Sequence, residues 1–134
     1  MYDFNTEFST PIPEPAVVAE RMAAHMASGA ATILLVGDRP DGLAVLRFRP
    51  ALYNEGLDAY LEELYVAPAQ RARGMGRALL DAAMQAARDE GATRMELGTS
   101  EDDTAARALY ESAGFTNRED GPDGPVMLFY EREL

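Results

Sequence analysis

Residues 64–80 read LYVAPAQRARGMGRALL, from Leu64 to Leu80. The stretch opens as the end of a strand, breaks at Pro68 and closes as the first turns of a helix. Arg71, Arg73 and Arg77 fall within Ala67–Leu80 without one acid, in a chain whose formal net charge is −11. Gly74 and Gly76 stand at the mouth of the helix, where free backbone N–H groups and the helix dipole favour an anion. Glycine at that place lets an oxygen-rich ligand reach the backbone without meeting a Cβ. Strand, arginine-rich loop, Gly-x-Gly and helix together read as a pyrophosphate cradle.

Working outward, Gly74–Glu90 carries Leu79, Leu80, Ala83, Met84 and Ala87 as one apolar stripe at helical spacing, and Gly91 closes it. Thr93–Leu97 reads as a strand parallel to its predecessor, because a helix intervenes. A further helix is expected from Asp103 to Ala113, with acids at its positive end and Gly114 at its stop. Phe115–Asn117 and Val126–Glu131 read as short strands around a Gly/Pro turn. Upstream, Asp58–Val66 is apolar on both sides, with Tyr60, Leu64 and Val66 expected on one face and Leu61 and Tyr65 on the other. Ala31–Gly37 and Leu43–Phe48 form a hairpin across the turn Asp38–Gly42. A helix starts at Pro15 and shows Val18, Met22 and Met26 to the core, with His25 as a surface residue beside that stripe. Thr10–Pro15 is an extended connector. The layout is α-ββ-β-α-β-α-ββ, a mixed α/β domain over residues 1–134 whose central sheet carries helices on both faces.

The 134 residues are 47% hydrophobic and 26% charged, as in an ordinary globular domain. Cysteine is absent, which removes disulfides, zinc-thiolate sites and cysteine nucleophiles. All 12 basic residues are arginine, so neither a Walker-type loop nor a lysine Schiff base is available. His25 is the single histidine, and no metal site is expected. The acidic balance argues against nucleic acid as a partner and suits a cationic ligand. No apolar run is long enough to span a bilayer, and Met1–Pro15 has no basic start of a signal peptide. A cytoplasmic protein without membrane contact is the expectation.

A dinucleotide-binding fingerprint competes for the same glycines, and Glu96 lies at the distance that fingerprint requires of its acid. Its third glycine is replaced by Leu79, however, and the loop Ala67–Arg73 is too long and contains Pro68. Arg71-Ala-Arg-Gly-Met-Gly76 instead resembles the Q/R-x-x-G-x-G/A signature of the GNAT superfamily of N-acetyltransferases, which bind acetyl-CoA. Leu64–Pro68 resembles that family's lead-in strand, and Ala106–Phe115 (ARALYESAGF) resembles its second signature, A-x-x-L-Y-x-x-x-G-F. The resemblance covers the chain from about Ala30 onward and implies a GNAT-like mixed sheet.

The resemblance implies that backbone groups of Leu64, Tyr65 and Val66 pair with the pantetheine arm, the Val66 N–H polarising the thioester carbonyl. It implies that Arg71, Ala72, Arg73, Gly74, Met75, Gly76 and Arg77 hold the pyrophosphate, and that Tyr110 protonates the departing thiolate. Asp103 stands where the family often has Asn, and it can accept a hydrogen bond there but not donate an amide N–H. The family's first strand and helix should precede this region. Met1–Phe8 reads as the tail of that helix with the strand missing, which leaves either a later start of the chain or an edge open to a partner.

An aliphatic amine is about 0.04% neutral at pH 7, a handicap of roughly 4.6 kcal/mol, so attack on a thioester calls for a base. Glu62 and Glu63 are adjacent on the central strand and are expected on opposite faces; Glu62, on the face of Tyr60, is ranked first. The function so implied is transfer of an acetyl group from acetyl-CoA to a primary amine, in a homodimer as is common in the family. The alternative is a CoA-binding or regulatory module of the same fold without turnover. The acceptor amine is not written in the sequence.

Overall fold

Pro15 occupies the first turn of a helix, where its missing N–H costs nothing, and Gly29 with φ near 73° ends the same helix. A computed structural model describes residues 14–36 and 41–134. The chain divides into two units, Met1–Leu97 and Gly98–Leu134. Expectations for Met1–Phe8, for most of the Thr10–Pro15 connector and for most of the hairpin turn lie outside the described residues.

In the first unit, helix α1 (Pro15–Ala27) leads into β1 (Ala31–Val36), which pairs antiparallel with β2 (Gly42–Pro50). Strand β2 pairs antiparallel with β3 (Leu57–Val66), a short 3-10 turn (Pro68–Gln70) follows, and α2 (Met75–Asp89) crosses over to β4 (Ala92–Leu97). Strand β4 runs parallel to β3, as the crossover requires, and the sheet order is β1-β2-β3-β4. Gly56 turns the chain into β3 at φ 114°, and a Cβ there would stand 3.0 Å from the Gly91 carbonyl oxygen, so glycine lets the two turns approach.

Helix α2 packs across all four strands. Its Leu79, Leu80, Ala83 and Ala87 are buried, and Ala44, Leu46, Ala59 and Leu61 answer them from the sheet. Helix α1 lies over β1 on the face that carries Ala31, Ile33 and Val45. Of its expected stripe, Val18 and Met22 are half-buried while Met26 is exposed. Burial of a leucine such as Leu80 contributes about 2–3 kcal/mol.

The expected face assignment in β3 is corrected by a β-bulge. The register passes from Val45 opposite Glu63 to Leu46 opposite Leu61, so β3 holds one residue more than its partner there. Opposed residues of a ladder share a face. Tyr60 therefore shares its face with Arg47, Val45 and Tyr65, whereas Leu61 shares the other with Leu64 and Val66. The strict alternation assumed from the sequence does not survive the extra residue.

In the second unit, α3 (Thr104–Ser112) is capped by Asp103, whose carboxylate accepts the Ala106 N–H at 3.1 Å. Gly114 at φ 95° stops it, and the Phe115 N–H returns to the Tyr110 carbonyl at 3.0 Å. The two expected tail strands are not formed. Arg118 and Val126 make one isolated bridge, with Asp120 and Gly121, both at positive φ, in the turn between them.

Leu80→Ala should lower the free energy of unfolding by about 2–5 kcal/mol in urea titration, because Leu80 has no exposed surface. Leu52→Ala, at a side chain 83% exposed, should stay within about 0.5 kcal/mol of the parent.

Candidate active site

Three features of the first unit converge on the exit from β3. The ladder to β4 ends at Leu61 opposite Leu97, while β3 continues to Val66 with β2 as its described partner. The Ala67 N–H donates to the Asp41 carbonyl at 2.7 Å, on the β2 side. Since N–H groups alternate along a strand, those of Tyr65 and Glu63 also turn to β2, and those of Leu64 and Val66 turn to the side where β4 has stopped pairing. The Val66 carbonyl shares that side and accepts a hydrogen bond from Arg71 Nε at 3.0 Å.

Beyond β3 the backbone twists twice into the left-handed region, at Ala72 (φ 61°) and at Gly74 (φ 76°), the residue that caps α2. An alanine in that region costs about 1–2 kcal/mol, strain of the kind that collects at functional sites. No side chain caps α2, and the first intrahelical bond runs from the Ala78 N–H to the Gly74 carbonyl. The N–H groups of Met75 and Gly76 therefore face outward at the positive end of the helix dipole. A Cβ at Gly74 would meet no atom within 4 Å, so the mouth of the helix is open.

The arginines around this mouth are held by neighbours. Arg71 lies with its guanidinium carbon 6.0 Å from the centre of the Tyr65 ring, Arg73 reaches the Gln70 side chain at 3.4 Å, and Arg77 pairs with Asp81 at 3.0 Å. Bare N–H groups, an open glycine and nearby cations fit an anion of two or more charges.

Glu62 and Glu63 prove to lie together. The bulge brings both carboxylates to the α1 side, where they line one cavity of about 250 Å³ with Ile33, Val45, Arg47 and His25. This corrects the expectation that adjacent glutamates point to opposite faces. Arg47 spans the group: its Nε donates to Glu62 and its Nη2 lies 2.9 Å from His25 Nδ1. A guanidinium only donates, so Nδ1 is the acceptor and the ring proton sits on Nε2. Burial pushes the Glu63 carboxyl above the usual carboxylate range, and the charge on Glu62 pushes the same way. His25 is thus half-buried and hydrogen-bonded rather than a free surface residue. Sequence reasoning missed the role of Arg47 entirely, since nothing in Leu43–Phe48 signals a cross-strand partner.

Of the other expected site residues, Leu64–Val66 and Arg71–Arg77 come together around the β3 exit. Tyr110 and Asp103 belong to the second unit, where Tyr110 is half-buried with its ring edge-on to Phe115, centroids 6.0 Å apart. Among the described residues no group of three or more His, Asp or Glu side chains could hold a metal ion, and no helix is long and apolar enough to cross a membrane.

The chain belongs to the Acetyltransferase (GNAT) family, whose sequence profile matches residues 1–115. An Arthrobacter sp. FB24 protein described as an acetyltransferase has a solved structure that covers 99% of this chain and 85% of its own, at 44% identity and a TM-score of 0.89. The aminoglycoside N(6')-acetyltransferase type 1 of Klebsiella aerogenes is 36% identical over 107 residues, 74% of this chain and 68% of that enzyme. The mycothiol acetyltransferase of Beutenbergia cavernae is 39% identical over 85 residues, 61% of this chain; the match spans about a quarter (27%) of that longer protein.

A raised carboxyl pKa means that the folded state binds the Glu63 proton more tightly than the unfolded chain does. The stability tied to that proton is complete below the ordinary carboxylate value and is lost as pH rises through the raised one. Glu63→Gln should therefore gain thermal stability over the parent at about pH 8 and lose that advantage at about pH 4, read by melting both proteins at each pH. A constant difference at both would contradict the burial of an ionisable carboxyl.

Proposed function

We propose that this chain transfers the acetyl group of acetyl-CoA to a primary amine. The observation that carries the reading is the uncapped N-terminus of α2, with left-handed Gly74 open to its surroundings, placed directly after a strand whose Leu64 and Val66 N–H groups are turned away from β2. Family membership supports it, and so does the likeness to the aminoglycoside enzyme, whose name describes acetyl transfer to an amino group.

Acetyl-CoA supplies an activated acyl thioester. The N–H groups of Met75, Gly76 and Arg77 hold its pyrophosphate, and Arg71 and Arg73 add positive charge in the loop that leads to them. The backbone of Leu64–Val66 lines up the pantetheine arm as an added strand, and the Val66 N–H donates to the thioester oxygen. Asp103, already engaged in capping α3, orders the turn that carries the second signature. Tyr110 delivers a proton to the leaving sulfur through its phenol. The amine's own proton passes to a carboxylate of the bulged strand.

Isothermal titration should show acetyl-CoA binding with neither NADH nor ATP matching it, and an amine screen should release free thiol. Tyr110→Phe should slow turnover by about 10- to 100-fold while leaving acetyl-CoA affinity in place. Full activity of that variant on every amine accepted by the parent would remove Tyr110 from the mechanism. Binding without thiol release on any amine would turn the reading to a CoA-binding module.

A further inference from the structure

The cavity between α1 and the sheet has sides of opposite polarity. On the helix side Arg21 and His25 stand four residues apart on one face of α1, and both line the cavity. His25 Nδ1 accepts from Arg47, which leaves its Nε2–H as a donor. That N–H and the Arg21 guanidinium meet no acceptor among the described residues. The sheet side presents the carboxylates of Glu62 and Glu63. Arg47 engages one oxygen of Glu62 and leaves the other open. Met22, Ile33 and Val45 add apolar surface to the lining.

We propose, resting on the acetyltransferase reading, that the acceptor is a small apolar α-amino acid. Its carboxylate is held by Arg21 and the His25 Nε2–H, and its ammonium faces the glutamates of β3. A planar guanidinium matches a carboxylate through two parallel N–H bonds, a fit that a neutral amide does not reproduce. The sheet side is where the amine has to arrive, because Glu63 directly precedes Leu64, the first residue assigned to the pantetheine arm. A diamine would set its second ammonium against Arg21, and a plain alkylamine would leave both donors of α1 unused. The volume of about 250 Å³ lies below the roughly 300–1,000 Å³ of pockets for drug-sized ligands and suits one amino acid. Met22, Ile33 and Val45 suit an apolar side chain. A zwitterion also has no net charge for a chain of charge −11 to repel.

The test is thiol release with L-leucine, L-leucinamide and n-butylamine for the parent, Arg21→Gln and Arg21→Lys, with acetyl-CoA affinity titrated on each. Leucinamide keeps the amine and the side chain of leucine and removes the carboxylate charge. The parent should favour leucine over leucinamide by about tenfold or more in kcat/KM, the scale of a hydrogen bond to a charged group. R21Q should lose about ten- to a hundredfold on leucine, chiefly through KM, so that the two compounds come level, while acetyl-CoA binds as it does to the parent. R21K keeps the charge without the fork and should fall between them. Arg21 is exposed on α1, so both variants should melt with the parent. A parent that takes leucinamide or n-butylamine as well as leucine overturns the proposal, and so does a preference for leucine that survives in R21Q. Acetyl-CoA binding without turnover of leucine overturns it too, and each of these results is compatible with acetyl transfer to another amine. A parent that binds no acetyl-CoA overturns the acetyltransferase reading and this proposal with it.

Discussion

One extra residue in β3 decides which of its side chains face α1 and which face α2. Between Val45 and Leu46 the partner strand advances by two residues, and the side chains of β3 change phase. Before the bulge, Ala59 and Leu61 turn to the α2 side and help close the core. After it, Leu64 and Val66 take that side while Glu63 and Tyr65 turn to α1. Without the extra residue one of the two glutamates would face the buried Leu46 and Leu80, where a carboxylate is costly. With it, both line a cavity in which Arg47 pairs with Glu62 and lies 2.9 Å from His25 Nδ1. The bulge also falls where β4 stops pairing, so β3 is flanked by both β2 and β4 up to Leu61, and beyond it β2 is its described strand partner.

A second constraint is electrostatic. A chain with net charge −11 repels phosphate at long range, yet the α2 mouth concentrates Arg71, Arg73 and Arg77 around the first N–H groups of the helix. Screening confines the adverse field to about 8 Å at physiological salt, so the local arrangement decides what binds. The side-chain contacts of Arg71 with the Val66 carbonyl and of Arg77 with Asp81 tie the loop and the first turn of α2 in place. The acidic remainder of the surface is compatible with a cationic acceptor approaching from solution.

The sheet and its two long helices were legible because each rests on a local pattern. Apolar spacing placed α2 within a residue at each end, and the intervening helix required β3 and β4 to be parallel. Asp103 and Gly114 marked the ends of α3 by capping chemistry. The signature glycines stand where the resemblance implied, with Gly74 left-handed at the start of α2. What was not legible depends on pairing between distant residues. A bulge leaves no mark in the sequence of one strand, so the faces of Tyr60 and Leu64 and the meeting of Glu62 with Glu63 were misread. Arg47 and His25 lie 22 residues apart and meet through the packing of α1 on β1 and β2. The Val126–Glu131 segment has the composition of a strand, but composition supplies no partner, and one bridge is all that forms among the described residues.

The claim that the end of β3 and the start of α2 form one acetyl-CoA site is tested most directly by amide NMR of the labelled chain during titration with acetyl-CoA. The account predicts that the N–H resonances of Leu64, Val66, Met75, Gly76 and Arg77 move together and saturate at one concentration, while those of the Ala51–Gly56 turn stay in place. Shifts confined to other parts of the chain, or none at saturating ligand, would contradict it.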